Sequence, residues 1–318
     1  MACGIVAPEN NKTQRLRISI LTSRSAQSKL LSRDTIGIVY LLLSGTGVVF
    51  LPTTAKLAYE SGSDVLTVAF TRGVFASLLL TIAALLVGQN LRLPRDLYRH
   101  SLVVGIAGAL FVYGIFGAIV TINISLAILI LYLYPMVIAI YEHFLGATRL
   151  TPAQWLWGLV ACLGLGFILG VNFGQISLVG IGLAMLAMFA SVVITLVNVR
   201  VADVTGSLVS NIYMSLWGAL LFGVALLAFG EFLQPQTTVG WISLTGNGIA
   251  YCVSWVAFFA GARILGATRA AMITLIEPPL AALFAWLIFG ETFTPLQWFG
   301  FAVVLASLFM FEKLARGR

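Results

Sequence analysis

Two ionisable residues stand inside long apolar runs, and they are the best placed to do chemistry. Arg72 lies about a third of the way along the run 65–87, and Glu277 sits in the middle of 268–289, directly before Pro278 and Pro279. A charged side chain at the centre of a bilayer costs about 2.5–3.5 kcal/mol on insertion scales, so neither residue belongs against lipid. Arg72 has two readings: a guanidinium facing a cavity and holding an anionic group such as a substrate carboxylate, or a structural group bonded to helix carbonyls. Glu277 also has two. Desolvation disfavours the charged form of a carboxylate, which suits a group that loads and releases a proton. The alternative is a cap for backbone groups freed by the two prolines, or a partner for a basic residue.

A second tier surrounds these two. Pro135 and the Pro278–Pro279 pair remove backbone donors and bend their helices, as hinges for a moving structure or as static bends around a cavity. Tyr113, Asn123, Tyr132, Asn247, Tyr251, Trp255 and Trp286 are candidates for a cavity wall, with Asn198 and Asn211 beside them. Their rings would supply apolar area with a hydrogen-bonding tip. Asn247 and Trp255 are two turns apart on one run and so share a face. Trp155, Trp157, Trp241 and Trp298 fall near span ends and read as interfacial anchors.

Other chemistries lack their residues. The four lysines (Lys12, Lys29, Lys56, Lys313) never follow glycine, so no GxxxxGK[ST] phosphate loop occurs. His100 and His143 lie at helix ends, and no HExxH, paired carboxylates or nucleophile–base pair appears. Cys3, Cys162 and Cys252 have neither metal nor disulfide spacing. The expectation is a protein that is not an enzyme, with no catalytic or metal-ligating residue and no cofactor. A membrane-embedded enzyme is the remote alternative.

The elements that must position these residues follow from composition. Of 318 residues, 60% are hydrophobic and 9% charged, against about 25% charged in soluble domains, and mean hydropathy is +1.03. Most of the surface must face lipid. The apolar runs are continuous rather than alternating, which indicates helices of about 20 residues. Spans are expected at 36–56, 65–87, 101–121, 125–145, 153–171, 177–199, 208–230, 240–262, 268–289 and 295–312.

Charge sets the orientation. The net charge is +7 and the pI about 9.6, but the basic residues gather at span ends, so nucleic acid is not an expected partner. With ten spans, all but Lys56 and Arg72 of the 18 Lys and Arg fall on one side, while Glu60, Asp64, Glu231 and Glu291 fall on the other. Both termini are then cytoplasmic, in a multi-pass protein of the cytoplasmic (inner) membrane. Residues 1–33 are Ser-, Arg- and Asn-rich with Glu9 as their one acid. They read as a disordered cytoplasmic tail, or as a transit peptide that would place the protein in an organelle membrane.

The chain also repeats. Tyr134–Gly158 (YPMVIAIYEHFLGATRLTPAQWLWG) and Glu277–Gly300 (EPPLAALFAWLIFGETFTPLQWFG) share an early proline, a glycine, Thr-Pro, Gln-Trp and a final glycine. The repeat falls on spans four and five and again on nine and ten. Five spans is an odd number, so the second copy is inverted, the arrangement that places a transporter's site between its halves. Gly166 and Gly170 have small-xxx-small spacing, which serves close helix packing within the chain or a homodimer seam.

On these residues the chain resembles the drug/metabolite transporter superfamily, in its EamA-like branch. Gly261–Gly300 is similar to that family's second-repeat signature and Ile122–Ile140 to its first-repeat counterpart. Lys56 and Arg72 also fit. The resemblance covers about residues 35–312. It implies an all-α membrane protein of ten transmembrane helices, two inverted five-helix repeats (35–173 and 174–312) around a central cavity, with tails 1–34 and 313–318. The function it implies is secondary transport of a small-molecule substrate by alternating access, with export of amino acids or related amphipathic compounds the first expectation. Efflux of cationic drugs and metabolite import stay open.

Overall fold

The computed structural model describes residues 11–170, 177–289 and 293–316. Cys3, Glu9, Glu291 and Arg318 lie outside them. The described residues form helices α1 (Asn11–Glu60), α2 (Val65–Leu86), α3 (Tyr98–Thr121), α4 (Ile124–Leu131), α5 (Tyr134–Phe144), α6 (Pro152–Leu169), α7 (Leu178–Thr205), α8 (Ser207–Phe229), α9 (Thr238–Leu265), α10 (Ala267–Ile273), α11 (Glu277–Phe289) and α12 (Pro295–Arg316), with no strand among them. Among the described residues nine helical stretches are long and apolar enough to cross a membrane, α4 and α5 together making one. The expected span 268–289 is instead broken into α10, a 3-10 turn at Thr274–Ile276, and α11.

Local chemistry explains the ends. Asp64 caps α2 by accepting from the Thr67 N–H at 2.8 Å. Thr151 and Gln154 form a capping box at α6, where Pro152 takes a first-turn position that needs no donor. Thr294 and Gln297 make the same reciprocal contacts at α12. These two caps are 143 positions apart. The same offset separates the starts of α4 and α10, and of α5 and α11. The repeat seen in sequence is therefore a repeat of helix boundaries.

Packing follows it. The most extensive helix contacts are α1 with α9, α3 with α7, α2 with α8, and α6 with α12. Moving each helix to its counterpart 143 positions away turns α1–α9 into α7–α3 and leaves the other two pairs unchanged, so each half packs on the other rather than on itself. Small residues let these backbones approach. A Cβ on Gly300 of α12 would stand 2.7 Å from the Gly164 carbonyl oxygen of α6. One on Gly114 of α3 would stand 2.7 Å from the Leu183 oxygen of α7.

Three expectations need correction. The stretch before the first span is helical from Asn11, with no proline or glycine between Asn11 and Ile36 to interrupt it. Gly166 and Gly170 do not form a packing seam within the chain: the nearest atom to a Cβ on Gly166 is 3.9 Å away, and Gly170 terminates α6 at φ +57. The close-packing glycines of that helix are Gly158, against Met136 and Met272, and Gly164, against Val303, Val304 and the Gly300 carbonyl. The prolines do not bend continuous helices either. Pro135, Pro278 and Pro279 sit in the first turns of α5 and α11, where a missing N–H goes unnoticed. The proline inside a helix is Pro52, in α1.

Candidate functional site

The two helix breaks face each other across the bundle. The Tyr132 hydroxyl, in the break between α4 and α5, donates to Glu277 Oε2 at 2.9 Å, at the start of α11. Tyr134 opens α5, and its hydroxyl hydrogen-bonds Thr274 Oγ1 in the 3-10 turn. Each break thus supplies polar side chains to the other. Backbone groups freed at such breaks are tolerated at membrane depth only where they are buried in protein or line a cavity. Here they line one.

That cavity has a volume of about 520 Å³. It lies between the halves, with wall residues from α1, α2, α3, α7, α8 and α9 as well as the two breaks. Most of the wall is aliphatic or aromatic. Arg72 projects from α2 with its guanidinium carbon 4.8 Å from the Tyr251 ring centroid, a cation–π contact. Arg72 makes no ion pair with any described residue, and neither does Glu277. Glu277 is the one acidic residue in the wall. Trp255 lies beside Tyr251 at 6.1 Å between centroids and stacks on Phe259 at 5.7 Å.

The cavity gathers Arg72, Tyr132, Tyr251, Trp255, Glu277 and Pro278 from the sequence candidates. The others lie elsewhere. Tyr113 is 66% exposed on the outside of α3. Asn123 caps α4, accepting from the Ser125 N–H at 2.8 Å. Trp286 packs edge-on against Trp298. Asn247 is buried and braces α1 next to Pro52, donating to the Leu51 carbonyl at 2.8 Å and to Thr54 Oγ1 at 2.9 Å. Asn198 donates to Met214 Sδ, and Asn211 to the Ser207 and Trp255 carbonyls. Pro135 and Pro279 flank the breaks without entering the wall.

Several wall residues were not candidates, among them Tyr134, Thr274, Thr195 and Ser254. Tyr134 had a signal. It aligns with Glu277 in the repeat, Tyr-Pro over Glu-Pro. The hydroxyl residues carried none.

The wall repeats as the helices do. Tyr134 and Glu277, Leu131 and Thr274, Pro52 and Thr195, Phe111 and Ser254, and Arg72 and Ser215 are pairs 143 positions apart, and both members of every pair touch the cavity.

A solved crystal structure of a protein 20% identical superposes with a TM-score of 0.73 over 89% of this chain and 99% of its own, a likeness of fold. An uncharacterized transporter in the cobO 3'region of Sinorhizobium sp is 29% identical over 82 residues. That match takes in 25% of this chain and 58% of the relative, little more than half its length. The model of the EamA-like transporter family matches twice, over residues 35–170 and 178–312. Those two matches take in both halves of the bundle and the cavity walls between them, and by them the chain belongs to the EamA-like transporter family.

Proposed function

We propose that this transporter is a secondary active carrier that exports small amphipathic metabolites, amino acids or related compounds, across the cytoplasmic membrane by alternating access. The observation that carries the reading is the cavity between the halves, walled at equivalent positions by both and holding one unpaired Arg and one unpaired Glu. An amphipathic solute has a use for each part: a carboxylate for Arg72, an ammonium for Glu277, and hydrocarbon for the aromatic wall.

The topology belongs to the same proposal. Taking α10 and α11 as one broken span gives ten crossings, and two five-helix units, 35–173 and 174–312, of opposite orientation. The crosswise pairing of α1 with α9 and α3 with α7 supports that inversion. Broken helices at the repeat interface are a recurring device of such carriers. The gathering of Lys and Arg at one end supports cytoplasmic termini. Glu277 is the proton-exchanging group of the cycle.

A second reading, efflux of hydrophobic cations, is favoured by Glu277 standing among Tyr132, Tyr134 and Trp255 with no basic partner. One experiment separates the two. Purified protein is screened by thermal shift against amino acids and cationic dyes, since a ligand of the native state raises Tm by mass action. Hits are then followed by counterflow in proteoliposomes. Counterflow of a zwitterion lost in Arg72→Ala supports the first reading. Counterflow of cations alone, indifferent to Arg72, supports the second. No counterflow of any stabilising ligand removes both.

A further inference from the structure

The two ends of the bundle are sealed unequally. Towards one end the cavity wall continues to Tyr59, Val65 and Leu169, in the last turns of α1 and α6 and the first of α2. Towards the other it stops. There Leu41, Ile138, Val199, Phe259 and Ala262 close into a buried apolar plug. Beyond the plug is an ionic cluster centred on α10. Arg269 donates from Nη1 to Asp34 on α1 at 3.0 Å and from Nη2 to Glu312 on α12 at 2.8 Å. Its side chain is 17% exposed and the two carboxylates 24% and 14%, so water screens these pairs less than it screens surface ones. One residue earlier, the Thr268 hydroxyl and N–H both donate to Glu142 Oε2 on α5. A seven-residue helix is thereby tied to three others.

Its counterpart has no such ties. α4 reads ISLAILIL and carries no ionisable residue. The positions 143 before Arg269, Glu312 and Thr268 are Leu126, Leu169 and Ser125, and the position 143 after Asp34 is Ser177. The architecture duplicates the helix without duplicating the lock.

α10 is also built to move as a piece. Gly266, at φ +85, joins it to α9 in a conformation that favours glycine. The 3-10 turn joins it to α11. A separate cavity of about 230 Å³ borders Gly266, Ala267 and Glu142. The start of α10 therefore has both a joint and space beside it.

We propose that α10 is the gate at this end, cytoplasmic in the topology proposed above, and that Arg269 and Glu142 are the latch that keeps it shut while the opposite end admits solute. Arg269 touches no part of the central cavity. It is a positioning residue that sets which face of the carrier is open. The inference rests on the alternating-access reading, but its test needs no substrate.

Cys3, Cys162 and Cys252 are replaced by Ala, and Ser191→Cys places one thiol in the cavity wall beside the plug. The full chain is labelled with a membrane-impermeant maleimide, in cells for the distal face and in inverted vesicles for the α10 face. The parent should label from the distal face and resist label from the α10 face. Arg269→Gln and, separately, Glu142→Gln should raise the labelling rate from the α10 face tenfold or more without raising the distal rate. Arg269→Glu should do the same, and adding Glu312→Arg should restore protection. The latch is refuted if both neutral variants label from the distal face as the parent does while their α10-face rate stays put. Equal acceleration from both faces also refutes it, because that is general loosening. A silent gate in a protein that shows counterflow overturns the latch alone. A responsive gate with no counterflow overturns the carrier reading and keeps the latch.

Discussion

Glu277→Gln tests whether the one carboxyl group in the cavity is the coupling group. The geometry limits what the change does to folding. Glu277 accepts from the Tyr132 hydroxyl at 2.9 Å and has no cationic partner among the described residues. A glutamine oxygen can accept the same bond, so only the gain from a charged acceptor is at stake, about 1 kcal/mol. The variant should therefore purify with a nearly unchanged Tm. Transport should change far more. A single carboxyl allows at most one exchanged proton per cycle from the cavity wall, and one proton across a gradient of one pH unit is worth about 1.4 kcal/mol, or tenfold in accumulation. Proteoliposomes loaded with a substrate identified by thermal shift should show about a tenfold change in steady-state accumulation per unit of imposed pH gradient. The Glu277→Gln variant should show none, while counterflow, which needs no proton, should persist at a higher solute concentration because the bound ammonium has lost its carboxylate. Undiminished pH dependence in the variant would refute the assignment of Glu277. A dependence near a hundredfold per unit in the parent would refute the one-proton argument, since a second group would then be required.

Further outcomes follow from the packing. Gly300→Ala should destabilise by about 1–3 kcal/mol, because its Cβ would meet backbone atoms of Gly164 and Ile168 at 2.7 and 2.9 Å; thermal melts in detergent would show it. Gly166→Ala, with nothing nearer than 3.9 Å, should be neutral or slightly stabilising in the same melts. Asn247→Ala should cost about 0.6–1.7 kcal/mol, the range for hydrogen bonds between membrane helices, by releasing the Leu51 carbonyl and Thr54. It should leave the apparent affinity for transported solute unchanged, which distinguishes a brace from a wall residue.

Much of the fold is legible because lipid makes the sequence speak plainly. Continuous apolar runs mark the spans. The Thr-Pro and Gln-Trp repeats mark real helix starts, the capping boxes at Thr151 and Thr294. The site is less legible. Asn247 and Trp255 share a helical period, yet α9 is packed against α1, α2, α7 and α8, so adjacent arcs of it serve different neighbours. Polarity in a span does not separate a residue that braces a partner helix from one that meets solute. The wall hydroxyls are harder still. Ser254 donates to the Ala250 carbonyl and Thr274 to that of Ala271. Serines and threonines anywhere in a span make this local bond, so nothing marks those that also line a cavity. Gly166 misleads for the converse reason: spacing describes a helix surface, and only the neighbour decides whether the surface is used.

The repeat duplicates positions without duplicating chemistry, and that has a consequence for binding. At the paired wall positions the second half supplies Thr195, Ser254 and Thr274 where the first supplies Pro52, Phe111 and Leu131. The exchange runs the other way at one pair, where Arg72 answers Ser215. A cavity symmetric in shape and in polarity would accept an amphipathic solute either way round. This one takes every wall serine and threonine but Ser44 from the second half and its guanidinium from the first, and buried polar groups left unpaired by a reversed solute would cost about 1–3 kcal/mol each. A bound solute should therefore keep one orientation throughout the cycle. Thr195→Val should then weaken binding of a polar solute about tenfold or more, while Pro52→Ala at the equivalent position should alter affinity little and act on stability instead. Equal losses of affinity at the two positions, measured by thermal-shift titration, would mean that the wall reads the solute symmetrically and that the one-sided polarity is incidental.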